Sequence, residues 1–142
     1  MAEVHATTDL PLSPDKAWEL LSDLSRFEEW LTIHDKWSSD IPPLAEGARV
    51  TEQLTVMGMT NKIDWTVEVY EPPASLKISG TGLAGAQIAF TLSVSGSDAG
   101  STATIDAEFT GQMMVGAIGD AVAKNALIEL EKSLDKLREL AG

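Results

Sequence analysis

Apolar and polar residues alternate from the start of the chain. Val4, Ala6, Thr8 and Leu10 take one parity, and Glu3, His5, Thr7 and Asp9 take the other. A period of two predicts a half-buried strand, which Pro11 ends. Ser13-Pro14-Asp15 then combines an N-cap, a proline at the first helical position and an acid in the first turn. Ala17, Trp18, Leu20, Leu21 and Leu24 form the apolar side of the helix so started. Ser25 and Glu28 are spaced as in a capping box and predict a second short helix through Phe27, Trp30 and Leu31.

Pro42-Pro43 and Gly47 break the chain, and the alternation then returns. Val50, Leu54 and Val56 share a parity, with Thr51, Gln53 and Thr55 on the other; Met57-Gly58-Met59 reads as a hairpin turn. Ile63, Trp65, Val67 and Val69 alternate with Lys62, Asp64, Thr66 and Glu68, the pattern of a one-sided antiparallel strand. Pro72-Pro73 is a turn before a strand through Leu76 and Ile78, which Gly80 to Gly85 closes. Two more strands follow, through Ile88, Phe90, Leu92 and Val94, and through Ala103, Ile105, Ala107 and Phe109, joined at Gly96 to Gly100. From about Met113 the period becomes helical, with Leu127, Leu130, Leu134 and Leu137 extending an apolar side begun by Val115, Ile118, Val122 and Ala126. A one-sided curved sheet needs its apolar face covered, and only this last helix is long enough to cover it. The expected fold is therefore α+β: a curved antiparallel sheet of about six or seven strands around a long C-terminal helix, with two short helices after the first strand.

Composition narrows the function. The 142 residues suit one domain spanning 1–142. A net charge of −12, from 22 acids and 10 bases without a basic cluster, argues against nucleic acid and against anionic membrane surfaces. The chain contains no cysteine, which excludes disulfides, thiolate nucleophiles and Cys-based zinc sites. Neither a signal peptide nor an apolar run of about 20 residues is visible, so a cytoplasmic location without membrane insertion is expected.

Ser13-Pro14-Asp15-Lys16-Ala17-Trp18, Leu21-Ser22-Asp23 and Phe27-Glu28-Glu29-Trp30 resemble the START-like superfamily, also called SRPBCC or helix-grip, which includes polyketide cyclase/dehydrase-type proteins. Asp23 to Phe27 and Trp30 to His34 look like small actinobacterial members, some of which are described in toxin–antitoxin terms. The resemblance covers essentially the whole chain. It implies a cavity between helix and sheet for lipids, polyketides or other apolar molecules, and it implies no universal catalytic set.

Within that frame Leu54, Val56, Trp65, Phe90 and Leu92 are expected to line the pocket from the sheet, and Met113, Met114, Val115 and Ile118 from the helix. Trp30, Trp37, Met57 and Met59 are further lining candidates, since tryptophan and methionine suit apolar walls of varied shape. His34 follows the second helix between Trp30 and Trp37, where a START-like pocket would have its mouth. It is the candidate acid/base, balanced against a hydrogen-bonded packing role. His5 falls on the polar parity and reads as exposed, and Glu129, at the edge of the helix stripe, reads as solvated. Two histidines without a spaced acid motif make a poor metal site, and no cofactor is expected. Gly80-Thr-Gly82-Leu-Ala-Gly85 matches G-x-G-x-x-G, but a strand follows it rather than a helix, so a hairpin is the better reading. The leading function is a carrier or sensor of a small apolar molecule. The alternatives are a polyketide cyclase or dehydratase using His34, and an interaction protein with a protein partner of the toxin–antitoxin kind.

Overall fold

The computed structural model describes residues 2–56, 58–82, 85–98, 100–111 and 116–142. Strand β1 (Ala2–Leu10) leads into helix α1 (Pro14–Ser22), a 3-10 turn (Leu24–Arg26) and the single-turn helix α2 (Phe27–Trp30). Strands β2 (His34–Trp37), β3 (Arg49–Val56), β4 (Met59–Glu71), β5 (Ser75–Thr81), β6 (Gln87–Ser97) and β7 (Gly100–Thr110) follow, and helix α3 (Gly116–Ala141) closes the chain. All seven strands form one antiparallel sheet in the order β1-β7-β6-β5-β4-β3-β2. The antiparallel curled sheet with its long terminal helix is the arrangement that the alternation predicts.

The local signals act as physical chemistry requires. Ser13 caps α1 by accepting from the Lys16 amide, and Pro14 occupies the first turn. The second helix starts differently from expectation. Asp23 caps the 3-10 turn, its carboxylate accepting from the Ser25 amide at 3.1 Å and from the Ser25 hydroxyl, while the cap position of α2 itself is Arg26, which makes no side-chain cap. Glu28 stays free of any capping box because Ser25 lies inside the 3-10 turn. Strand β2 lacks an alternating signature and is seen only through its pairing with β3, where a bulge separates His34 from Lys36.

Cross-strand partners share a face, so register sorts the side chains. Val50, Ile63, Trp65, Ile78, Phe90 and Ile105 lie on the inner face and are buried. Thr51, Asp64, Thr81 and Gln87 form one row of the outer face. Helix α3 packs closest to β1 and to α2. Its C-terminal half is sealed, with Leu130, Leu134 and Leu137 at 2% exposure or less. Its N-terminal half buries Gly119 and Ala126, while Val122 and Leu127, expected to be buried, are half-buried. Gly100 is required at the β6–β7 turn, since its φ is +135° and a Cβ there would lie 2.7 Å from the carbonyls of Leu10 and Leu12. No helix among the described residues is long and apolar enough to cross a membrane.

Candidate functional site

On the inner face, β3 carries Val50, Glu52 and Leu54 on a single parity, so the carboxylate of Glu52 is directed into the core. One of its oxygens accepts from the Trp65 indole N–H on β4 at 2.8 Å. The other pairs with Nδ1 of His34 on β2. Both side chains are sealed, at 2% exposure for His34 and 1% for Glu52. The imidazole lies against the rings of Phe27 and Trp37, with centroids 6.1 and 5.0 Å away. Trp37 is itself anchored, donating its N–H to the Leu24 carbonyl at 2.8 Å.

Burying a carboxylate and an imidazole is costly unless each polar atom is paired, and here both carboxylate oxygens are. A carboxylate holding Nδ1 orients the ring and, when Nδ1 carries the proton, leaves Nε2 as its basic atom. His34 therefore sits within the core, on the edge strand, rather than at a solvent-facing mouth. Glu52 was missed in the sequence, although an acid between Val50 and Leu54 on an apolar parity is a readable signal.

A second polar group ties α2 to α3. The Thr32 amide donates to Ser133 Oγ at 2.9 Å, and the Thr32 hydroxyl donates to the Glu129 carboxylate at 2.6 Å. Glu129 is thus not a solvated residue; its side chain is 26% exposed and held by Thr32.

The proposed lining residues are distributed unevenly. Leu54, Trp65, Phe90 and Leu92 converge on the inner face and are packed to 5% exposure or less, with Trp65 and Phe90 at 5.3 Å between ring centroids. Trp30 belongs to the same core, while Trp37 is half-buried. Ile118 stands apart from them on the first turns of α3, 55% exposed. Val56 and Met59 pair at the β3–β4 hairpin, with their side chains outside the description. Met57, Met113, Met114 and Val115 lie outside the described residues. Register places the β3–β4 turn, the β5–β6 turn and the exit of β7 at one end of the sheet, and α3 begins five residues beyond Gly111, at Gly116.

The outer face carries an open concavity of about 830 Å³. Its walls are polar, including Arg49, Thr51, Asp64, Gln87 and Glu108, and it lies on the opposite side of the sheet from the aromatic core. His5, exposed as expected, pairs with Asp106 across β1 and β7.

Comparison with known proteins places this geometry. The chain is 36% identical over 143 residues to the uncharacterized protein Rv1546 of Mycobacterium tuberculosis, covering all of both chains. It is 36% identical over 135 residues to Toxin Rv0910 of the same organism, covering 94% of each. Among solved structures, TTHA0849 from Thermus thermophilus superposes with a TM-score of 0.76 at 19% identity, covering 96% of this chain and 94% of that one. CV1439 from Chromobacterium violaceum gives 0.74 at 12% identity, covering 99% and 98%. These two likenesses show a shared fold. The family model for polyketide cyclase / dehydrase and lipid transport matches residues 1–142, and the chain belongs to that family.

Proposed function

We propose that the protein binds a small apolar molecule, lipid- or polyketide-like, between the inner face of the sheet and α3, as a carrier or sensor. The observation that carries this reading is the apolar surface left uncovered on the first turns of α3, beside the buried Gly119 and Ala126. Leu130, Leu134 and Leu137 are sealed, whereas Val122 and Leu127 are half-buried and Ile118 is 55% exposed. Helix α3 starts at Gly116, shortly after β7 leaves the sheet at the end where the β3–β4 and β5–β6 hairpins turn. An apolar molecule entering there would cover Ile118 and rest on the floor made by Leu54, Trp65, Phe90 and Leu92. Burying apolar surface supplies the affinity, at about 25 cal/mol per Å² before ordering costs. Family membership supports the same class of ligand.

Native mass spectrometry of protein purified from its own host tests this, together with a panel of lipids and polyketides. A bound apolar mass, or a panel member whose affinity falls on Ile118→Asp, is the expected result. A protein that is always empty and binds nothing from the panel sinks the reading.

Glu52 gripping His34 Nδ1 favours a second reading, in which the protein is a cyclase- or dehydratase-type enzyme with His34 Nε2 as acid/base. General acid/base help is worth roughly a hundred- to ten-thousand-fold. His34→Gln should then abolish the neutral-pH dependence of any turnover found, and an unchanged profile makes His34 structural. The relative described as a toxin favours a role that depends on a protein partner, tested by co-expression with the product of a neighbouring gene.

A further inference from the structure

The outer concavity has no part in the site described above. Its volume, about 830 Å³, is that of a small-molecule site, yet its walls are polar. Sheet register lays out its lining in two rows. Cross-strand partners run Arg49, Thr66, Ser79, Ala89, Glu108 from β3 to β7. The neighbouring row runs Thr51, Asp64, Thr81, Gln87, Thr110 over the same strands. Both rows line the concavity along their whole length.

The first row is dipolar. It begins with the guanidinium of Arg49 and ends with the carboxylate of Glu108, and register carries it one strand further to Glu3 on β1. Carboxylates directly opposite each other on antiparallel strands repel. Neither Glu3 nor Glu108 has an ion pair or side-chain hydrogen bond among the described residues, and the adjacent His5 is held by Asp106. Arg49 has none either. Between these ends, the side chains of Ser79, Thr81 and Gln87 are likewise unengaged among the described residues, while Asp64 accepts from the Thr51 hydroxyl at 2.9 Å.

The strip therefore suits an occupant that is anionic at one end, cationic at the other and polar between. Hydroxyls and a carboxamide both donate and accept, as peptide groups require. Strands lie about 4.8 Å apart, so Arg49 and Glu108 stand about 19 Å apart along the row at most. Allowing for the reach of the two side chains, about four extended residues span it at about 3.4 Å each. A second copy of the chain fits poorly, since two concavities face to face enclose a void. No aromatic ring stands on either row, so an apolar or flat ligand finds no stacking surface.

We infer that the outer concavity binds a short peptide with free ends, its carboxylate on Arg49 and its amine on Glu108 and Glu3. The inference is independent of the apolar-ligand reading, which concerns the other face of the sheet.

The test uses the peptide Gly-Ser-Gly-Ser in four forms: both ends free, the amine acetylated, the carboxylate amidated, and both blocked. Each is titrated at low salt into the full chain labelled with 15N, and the amide resonances locate the site. The expected result is saturable shifts confined to β3–β7 and the adjoining β1, with the free peptide bound roughly three- to tenfold tighter than the blocked one. Arg49→Ala should abolish the gain from the free carboxylate and keep that from the amine. Arg49→Lys should restore part of the lost gain, which separates charge from any effect on folding. Glu3→Gln/Glu108→Gln should abolish the gain from the amine alone, and high salt should erase both gains. Equal binding of all four forms overturns the inference, as does the absence of saturable binding or a set of shifts on the inner face. An amine preference that survives Glu3→Gln/Glu108→Gln is general attraction to a surface of net charge −12, and overturns it too.

Discussion

The molecule makes the same pairing twice in two different settings. His5 on β1 meets Asp106 on β7, and His34 on β2 meets Glu52 on β3, each through Nδ1 and a carboxylate oxygen of the adjacent antiparallel strand. The first pair is 64% and 47% exposed and the second 2% and 1%. In water such a pair gains little, because solvent competes for both partners and salt screens them. In the core neither partner has water to return to, so each depends on the other and on the Trp65 N–H that completes the carboxylate. The difference teaches that the chemistry of a pair says little until its burial is known. Pairing makes the inner carboxylate tolerable in the core, whereas the outer one needs no partner.

The sharpest way to break this comparison is to remove Glu52. Glu52→Ala leaves His34 and the Trp65 N–H unpaired in the core, and should lower unfolding free energy by about 3–5 kcal/mol in urea denaturation. The double variant His34→Leu/Glu52→Leu should recover most of that, since an apolar replacement of a buried pair is often neutral. If the double variant is as unstable as the single one, the pair is not the source of the loss.

An intermediate case sharpens it. Thr32 meets Glu129 at a half-exposed position, so Thr32→Val should cost about 1–2 kcal/mol by the same measurement, between the two extremes. A cost as large as that of Glu52→Ala would mean that the α2–α3 clasp, not burial, sets the scale.

His5→Ala should change stability by less than about 0.5 kcal/mol, an effect that shrinks further in high salt. A larger, salt-insensitive loss would remove the contrast between the two pairs.

The smallest effect is expected on the surface of α2. There Arg26 donates to Glu29 at 2.7 Å, and this hydrogen bond holds the Glu29 carboxyl below the usual carboxylate range. A depressed folded-state value contributes stability above the ordinary carboxylate pKa and loses it as the pH falls through the lowered value. Thermal melts of Glu29→Gln and the unaltered protein should thus differ slightly at neutral pH and converge in acid. A gap that widens in acid contradicts that sign.

Much of the fold was legible because its signals are local. Strand alternation, the Ser13-Pro14 helix start and the leucine spacing of α3 are each written within one element. Strand β2 was not legible: four residues without alternation become a strand only by pairing with β3. The site was less legible still. His34 could be nominated by its chemistry, but its burial depends on Phe27, Trp37 and Glu52 arriving from other elements. Glu129 was misread because its partner, Thr32, is 97 residues away.

By itself the sequence determined the strands other than β2 and the long final helix, which parity of those strands is apolar, and the net charge of −12 that argues against polyanionic partners. Those properties follow from side-chain period and composition, which need no knowledge of what lies across the fold. Only the tertiary structure decided which of two histidines is sealed, that Glu52 is its counterpart, that Ile118 on α3 is left exposed, and that the Trp30 indole N–H has no partner among the described residues. The physical reason is that burial and hydrogen-bond satisfaction belong to pairs of residues. The pairs that matter here join positions from 13 to 101 residues apart, brought together by sheet register and the return of the final helix.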